Sequence, residues 1–278
     1  MNKQLKCNGE FVTIHHKKIH IFRQGDLDKP KLVFLAGSAT VAPVYDFKVL
    51  YEKLANDFRI IVIEKFGYGY SDIFESSCDI DTIVSTEKQA LDMIGETKPY
   101  ILVPHSMSGL EAIRWKQKYP DDIMGIIGID MATPLAYRSW TDKRVSKMIK
   151  MIEIANKLKL YKIPLLYPLN NRCLTKNEII QQKLLMNRNA FNQCYMNEGK
   201  ELLHNVRIVS EHGTISCPTL LFSSNGKQID KYWVKSQKEF AELMNAKLIT
   251  YDCGHYIHYY KSNEMRTSII NFVNKLKQ

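Results

Sequence analysis

Serine has a weak nucleophile for a side chain, and it does chemistry only where a fold holds its hydroxyl in view of a base. The run Tyr100-Ile101-Leu102-Val103-Pro104-His105-Ser106-Met107-Ser108-Gly109-Leu110-Glu111-Ala112 offers such a place. It reads as a buried strand, then a serine among small residues, then the first turn of an amphipathic helix, the strand-turn-helix context in which a G-x-S-x-G nucleophile turn works. Pro104 departs from that pattern two residues before the serine, and Ser108 with Gly109 follows it. A proline at a strand end removes a ladder N–H only where none is needed. The competing reading makes Ser106 the cap of the helix behind it.

The rest of the chain must position that serine. Residues 10–23 alternate apolar and polar residues around His15-His16-Lys17-Lys18, which predicts an antiparallel hairpin. His15, His16 and His20 invite a metal reading, but surface strand and turn histidines are the expectation. Lys31–Ala36 is a short apolar strand ending in Gly37-Ser38-Ala39, and Ile60–Ile63 is another. Between them Phe47, Leu50, Leu54 and Phe58 give helical spacing over 45–58. A helix over about 80–95 leads to the serine strand. The helix after it stops at Pro120, and the strand Ile123–Ile129 ends at Asp130. Such alternation predicts an α/β fold, a mostly parallel sheet covered by helices on both faces.

From Met131 the pattern changes. Residues 132–212 show helical spacing and no strand, with fourteen Lys or Arg against six Asp or Glu, which is +8 of the chain's net +10. Val145, Met148, Ile149, Ile152 and Leu158 form an apolar stripe opposite Lys143, Lys147 and Lys150. A basic amphipathic helix can lie on an anionic membrane, although an insertion here is expected to pack over the serine. Ile163-Pro164-Leu165-Leu166-Tyr167-Pro168 should link helices of the insertion. Strands resume at Thr219–Phe222 and over 246–251, with a helix over about 231–244 between them and a last helix from Ser262. One domain of 278 residues results, its core at 1–131 and 213–278 and its helical cap at 132–212.

Taken together, Phe34-Leu35-Ala36-Gly37-Ser38, the turn Gly67-Tyr68-Gly69-Tyr70-Ser71, the Pro-His-Ser-Met-Ser-Gly stretch and Cys253-Gly254-His255 resemble the α/β-hydrolase family across nearly the whole chain. The resemblance implies a Ser-acid-His order of catalytic residues. Ser106 is then the nucleophile and His255, after the last strand, the base. His258 is expected to cap or pack. The acid usually follows the strand that here is Thr219–Phe222, where Asp230 is the first carboxylate and also resembles a helix N-cap. Some members carry it one strand earlier, which points to Asp130. The position favours Asp130, with Asp230 the alternative. The backbone N–H groups of Ser38 and Met107 are the expected oxyanion donors, Glu64 is expected to be structural, and Tyr137, Trp140 and Tyr167 are candidates for the pocket wall.

The resemblance implies a carboxylesterase-like serine hydrolase acting on a small-molecule acyl substrate. The alternatives are a ligand-binding protein with little turnover, or an acyltransferase or peptidase using the same serine. A serine at the turn argues against dehalogenase or epoxide hydrolase chemistry, which needs a carboxylate there. Six cysteines without a C-x-x-C pair argue for free thiols, with no metal site and no cofactor. No nucleic-acid motif accompanies the positive charge. With no apolar run long enough to span a bilayer and no signal-like start, the expectation is a cytoplasmic protein.

Overall fold

The computed structural model describes residues 5–163 and 172–277. Eight strands form one sheet: β1 (Glu10–Ile14), β2 (Lys17–Gln24), β3 (Lys31–Leu35), β4 (Arg59–Glu64), β5 (Tyr100–Pro104), β6 (Ile123–Ile129), β7 (Thr219–Ser223) and β8 (Lys247–Thr250). Their spatial order is β1-β2-β4-β3-β5-β6-β7-β8, with the β1–β2 and β2–β4 pairings antiparallel, so that β2 alone is reversed, and the other five pairings parallel. His15 and His16 turn the first hairpin with φ of 51° and 59°. A two-residue turn with both φ positive matches the twist of its flanking strands.

Side chains alternate across the sheet, so each strand feeds two cores. Val33, Leu35, Ile61 and Ile63 pack on one face with residues of α3 (Ile80–Met93), α4 (Ser108–Lys118) and α8 (Trp233–Leu243). Leu32, Phe34, Ile60 and Val62 pack on the other with α1 (Pro43–Asp46), α2 (Lys48–Leu54) and α9 (Ile257–Leu276). The parallel sheet with helices on both faces is therefore the one the alternation predicts. Between β6 and β7 lie only helices among the described residues. They are two short 3-10 turns, α5 (Asp142–Lys157), α6 (Lys176–Asn189) and α7 (Gln193–Glu211). The proline stretch after Ile163, with Tyr167, lies outside the described residues.

Several expectations need correction. The single helix over 45–58 is two short ones that meet at Phe47, because Pro43 starts a separate turn upstream, and Phe58 packs in the turn before β4. The last helix begins at Ile257 and is interrupted at Lys261 (φ −125°). His20 is not a surface histidine. It is fully buried and Nδ1 donates to Glu64 Oε2 at 2.8 Å. Glu64 also accepts from the backbone N–H of Val44 and of Tyr70, so one buried carboxylate joins β2, α1 and the glycine turn.

The packing behind the serine turn leaves room only for hydrogen at Gly109. A Cβ there would stand 2.1 Å from the Ala132 carbonyl oxygen. The substitution Gly109→Ala should therefore cost about 3 kcal/mol by urea denaturation. A loss below about 0.5 kcal/mol, the range of an ordinary surface change, would show that the backbone yields freely there.

Candidate active site

β5 carries the chain to His105, which bridges to Ile129 of β6, and Ser106 follows with φ of 54°. A non-glycine residue in the left-handed region costs about 1–3 kcal/mol and persists only where its surroundings insist on it. Three bonds insist here. Ala132 N donates to the Ser106 carbonyl at 2.6 Å, Gly109 N donates to the same oxygen at 3.0 Å, and His105 N donates to the Leu35 carbonyl at 3.1 Å. The Ser108 hydroxyl packs into the turn, within 2.8 Å of the Leu35 carbonyl and 2.9 Å of that of His105. Pro104 sits opposite Leu35 in the β3–β5 register. Ser106 does not cap the helix: Met107 is the N-cap residue of α4, without a side-chain bond, and Ser106 Oγ makes no hydrogen bond among the described residues.

The structure brings His255 and Asp130 together. His255 Nδ1 donates to Asp130 Oδ2 at 2.6 Å, and the Gln228 side chain accepts from His255 N at 2.9 Å. Asp130 is fully buried, and its Oδ1 accepts from Ser224 N and from Trp233 Nε1, each at 2.8 Å. A carboxylate with three donors is acceptor-only, so it holds the imidazole proton on Nδ1 and leaves the Nε2 lone pair free. Asp230 lines the cavity that opens on Ser106 but is not the partner of His255. Its Oδ2 receives Arg144 Nη2 at 2.6 Å and its Oδ1 receives Tyr232 N at 2.9 Å. Burial works against its charge, but these two bonds hold its carboxyl below the usual range. It is not the N-cap of α8, which Tyr232 is.

Ser106, Ser38 and Met107 line one cavity of about 220 Å³. Met148, Ile149 and Ile152 of α5 and Leu202 of α7 roof it, and Tyr137 and Trp140 form part of its wall. The inward half of the α5 stripe thus faces the serine, while Leu158 is exposed. A Cβ on Gly37 would stand 2.6 Å from Ser106 Cβ, so only glycine lets the β3 loop come this close to the turn.

Beneath Ser106 the His105 ring lies 4.6 Å from that of His255 and 5.2 Å from that of His258. Burial pushes His105 well below the ordinary histidine range, with the charges of His255 and His258 adding to it, so it serves as a neutral packing ring. His258 is fully buried, packed on Phe47 with Asp46 3.5 Å away; it packs and does not cap. All six cysteines are free, and burial raises the Cys253 thiol, with Asp130 adding to the shift. No group of three His, Cys, Asp or Glu among the described residues could hold a metal ion.

Sequence reasoning missed a buried ionic cluster. Lys65, just after β4, donates to Glu111 of α4 and to Glu198 of α7, and the Tyr68 hydroxyl donates to Glu198. Tyr68 Oη in turn accepts from Ala39 N at 3.3 Å, beside Ser38, where Ala39 has φ of 61°. The insertion, the loop after β3 and the serine helix are thereby joined through one cation. The only sequence signal is Glu111 in an otherwise inward run of α4.

No family model matches the chain. Uncharacterized protein YbdG of Bacillus subtilis is 38% identical over 151 residues, covering 53% of this chain and 46% of that protein. Epoxide hydrolase 1 of Caenorhabditis elegans is 23% identical over 146 residues, covering 50% and 35%. The match thus spans less than half the length of either relative. Among solved structures, Cfl2 from Burkholderia cenocepacia superposes with a TM-score of 0.74 at 20% identity, covering 94% of both chains. A carboxylesterase of Nitrososphaera gargenis gives 0.69 at 14% (96% and 99% covered). A haloalkane dehalogenase variant from Bradyrhizobium elkanii gives 0.71 at 14% (96% of both). The fold of this chain is the α/β-hydrolase fold.

The cluster makes stability depend on pH. Burial raises Glu111 from its ordinary value of 4.5 to about 7 against the pull of Lys65, and burial also raises Glu87 beside it well above the ordinary carboxylate range. An acid whose folded pKa is raised contributes stability that is fully present below 4.5 and lost as pH climbs through about 7. The urea midpoint should fall across that window, and Glu111→Gln should flatten the fall. Parallel curves for the two proteins would remove Glu111 as its source.

Proposed function

We propose that the chain is a serine hydrolase of the esterase type, cleaving an acyl ester of a small, largely apolar molecule. One observation carries the reading. The serine held at positive φ shares the end of the sheet with a histidine whose Nδ1 is anchored on a buried carboxylate, and an apolar cavity opens on that serine. Carboxylesterase and epoxide hydrolase relatives on this fold agree with a hydrolase. Serine at position 106 favours acyl chemistry over that of the dehalogenase, because displacement of halide or opening of an epoxide calls for a carboxylate nucleophile.

In this mechanism Ser106 Oγ attacks the ester carbonyl and His255 Nε2 takes its proton. The backbone N–H groups of Ser38 and Met107 receive the oxyanion. His255 then protonates the leaving alcohol, and a water attacks the acyl-enzyme with His255 again as base. Asp130 orients the imidazole and stabilises the imidazolium. Residues 132–212 act as the cap on a core of 1–131 and 213–278. Free thiols agree with a cytoplasmic setting, because reducing compartments keep cysteines unpaired. A second reading, a ligand-binding protein with slow turnover, rests on the unengaged Ser106 Oγ. An acyltransferase would share every step to the acyl-enzyme and differ only in the acceptor.

Fluorophosphonate labelling with mass spectrometry, paired with turnover of p-nitrophenyl acyl esters, tests this. Wild type should label at Ser106, and Ser106→Ala and His255→Ala should abolish labelling and turnover. Asp130→Asn should lower kcat by about 10⁴ while Asp230→Asn changes it by less than about fivefold. Undiminished hydrolysis by Ser106→Ala, or an unlabelled wild type that turns nothing over, would overturn the proposal, the latter in favour of the binding protein.

A further inference from the structure

Helix α5 has two apolar faces, and the cavity uses only one. Val145 is buried, and Met148, Ile149 and Ile152 point into the roof of the site. On the opposite side Met151, Ile154 and Leu158, at i, i+3 and i+7, are 62%, 57% and 64% exposed. Spacing of that kind puts three large apolar side chains in one row along the outer surface. Ile163, a few residues on, is 44% exposed. Isolated exposed hydrophobics are ordinary, but a continuous row on one helix marks a surface that meets something apolar.

The charge around the row says what that is. Lys143, Lys150 and Lys157 repeat at seven-residue steps along one flank, Lys147 continues the row toward the helix start, and all four are exposed. None of them has an ion-pair partner among the described residues. Residues 142–163 hold seven Lys or Arg against Asp142 and Glu153. Asp142 sits in the first turn, Glu153 stands on the lysine flank between Lys150 and Lys157 and offsets one of its charges, and Arg144 is turned to Asp230 and stacked on Trp140. The outward face is thus apolar at its centre and cationic along its side. A polyanion without an apolar phase would leave the methionine, isoleucine and leucine with nothing to bury against. A bilayer with anionic headgroups satisfies both halves, the apolar row at the acyl boundary and the lysines among the headgroups.

We infer that the outer face of α5, continued through Lys159 and Lys162, docks the protein on an anionic phospholipid surface. The described residues contain no helix that could cross a membrane, so the association is peripheral. Because the inner face of the same helix roofs the cavity, docking sets the candidate site against the bilayer. The docking does not depend on the hydrolase reading, and its test does not use catalysis.

The experiment is co-sedimentation of the full chain with vesicles of pure phosphatidylcholine and of equimolar phosphatidylcholine and phosphatidylglycerol. Wild type should pellet with the anionic vesicles, should stay in solution with phosphatidylcholine alone, and should be released by raised salt. The triple variant Lys147→Glu/Lys150→Glu/Lys157→Glu should bind on the order of a hundredfold more weakly, from about fivefold per lysine at an anionic surface. Met151→Ser/Ile154→Ser/Leu158→Ser should also lose binding, with a circular dichroism spectrum like that of wild type. Ser106→Ala should bind as wild type does, so that loss of hydrolysis and loss of docking are read separately. No pelleting of wild type would overturn the inference. So would full binding by the apolar triple variant, which would leave only a polyanion site, or a concentration-dependent dimer that both triple variants abolish, which would make a second copy the occupant.

Discussion

A charge buried without partners costs more than the net stability of most domains, so Asp130 constrains everything around it. Its three donors come from separate places in the chain: Ser224 just after β7, Trp233 at the start of α8, and His255 ahead of α9. They converge because β6 lies between β5 and β7 in the sheet and all three strands point the same way. Asp130 itself has φ of 45°, and its N–H is spent on the Phe222 carbonyl, so the carboxylate is aimed by backbone. Loss of any one donor would leave the anion short and free the imidazole to turn. The strained serine on the neighbouring strand end is held by the same neighbourhood, through Ala132, two residues after Asp130.

Much of this was written locally and could be read. Apolar runs of strand length, a proline stopping the serine helix and the loss of strand pattern after Met131 come from neighbours in sequence, and the sheet and its helical insertion follow from them. What escaped depends on distance. Asp130 and Asp230 both end or follow a strand, and only the packing of residues 125 apart shows which one meets His255. His20 sits in a strand whose alternation says little about burial on both faces, so its partner Glu64 was invisible. Lys65 and Glu198 are 133 positions apart, and no periodicity links them. The break at Phe47 escaped because an apolar spacing of three and four is the same whether the helix is continuous or interrupted by a turn.

The ionic cluster gives the insertion a specific seat. Apolar contacts between α7 and α4 tolerate sliding, whereas a buried lysine shared by Glu111 and Glu198, together with Gln117 Nε2 donating to the Val209 carbonyl, fixes one register. Through Tyr68 that register reaches Ala39, a second non-glycine residue at positive φ next to the serine turn. The loop after β3 and the roof of the cavity are therefore set by one network, and the shape of the cavity is tied to the position of the loop.

The insertion is, topologically, a single long loop between adjacent parallel strands. Its two ends are held where β6 and β7 pair from Ile126 to Ile129, so the closure it imposes is already satisfied by the sheet. Closing a loop grows more costly only with the logarithm of its length, about 0.6 kcal/mol for each doubling. Length as such is therefore cheap in the roof, and what ties the insertion to the sheet is its buried side chains, Val145, Leu202 and Val209 among them, and the lysine with its two carboxylates. The groups at the strand ends and the walls that face them are in this sense held by different parts of the chain, the former by the sheet and the latter largely by the helices between β6 and β7.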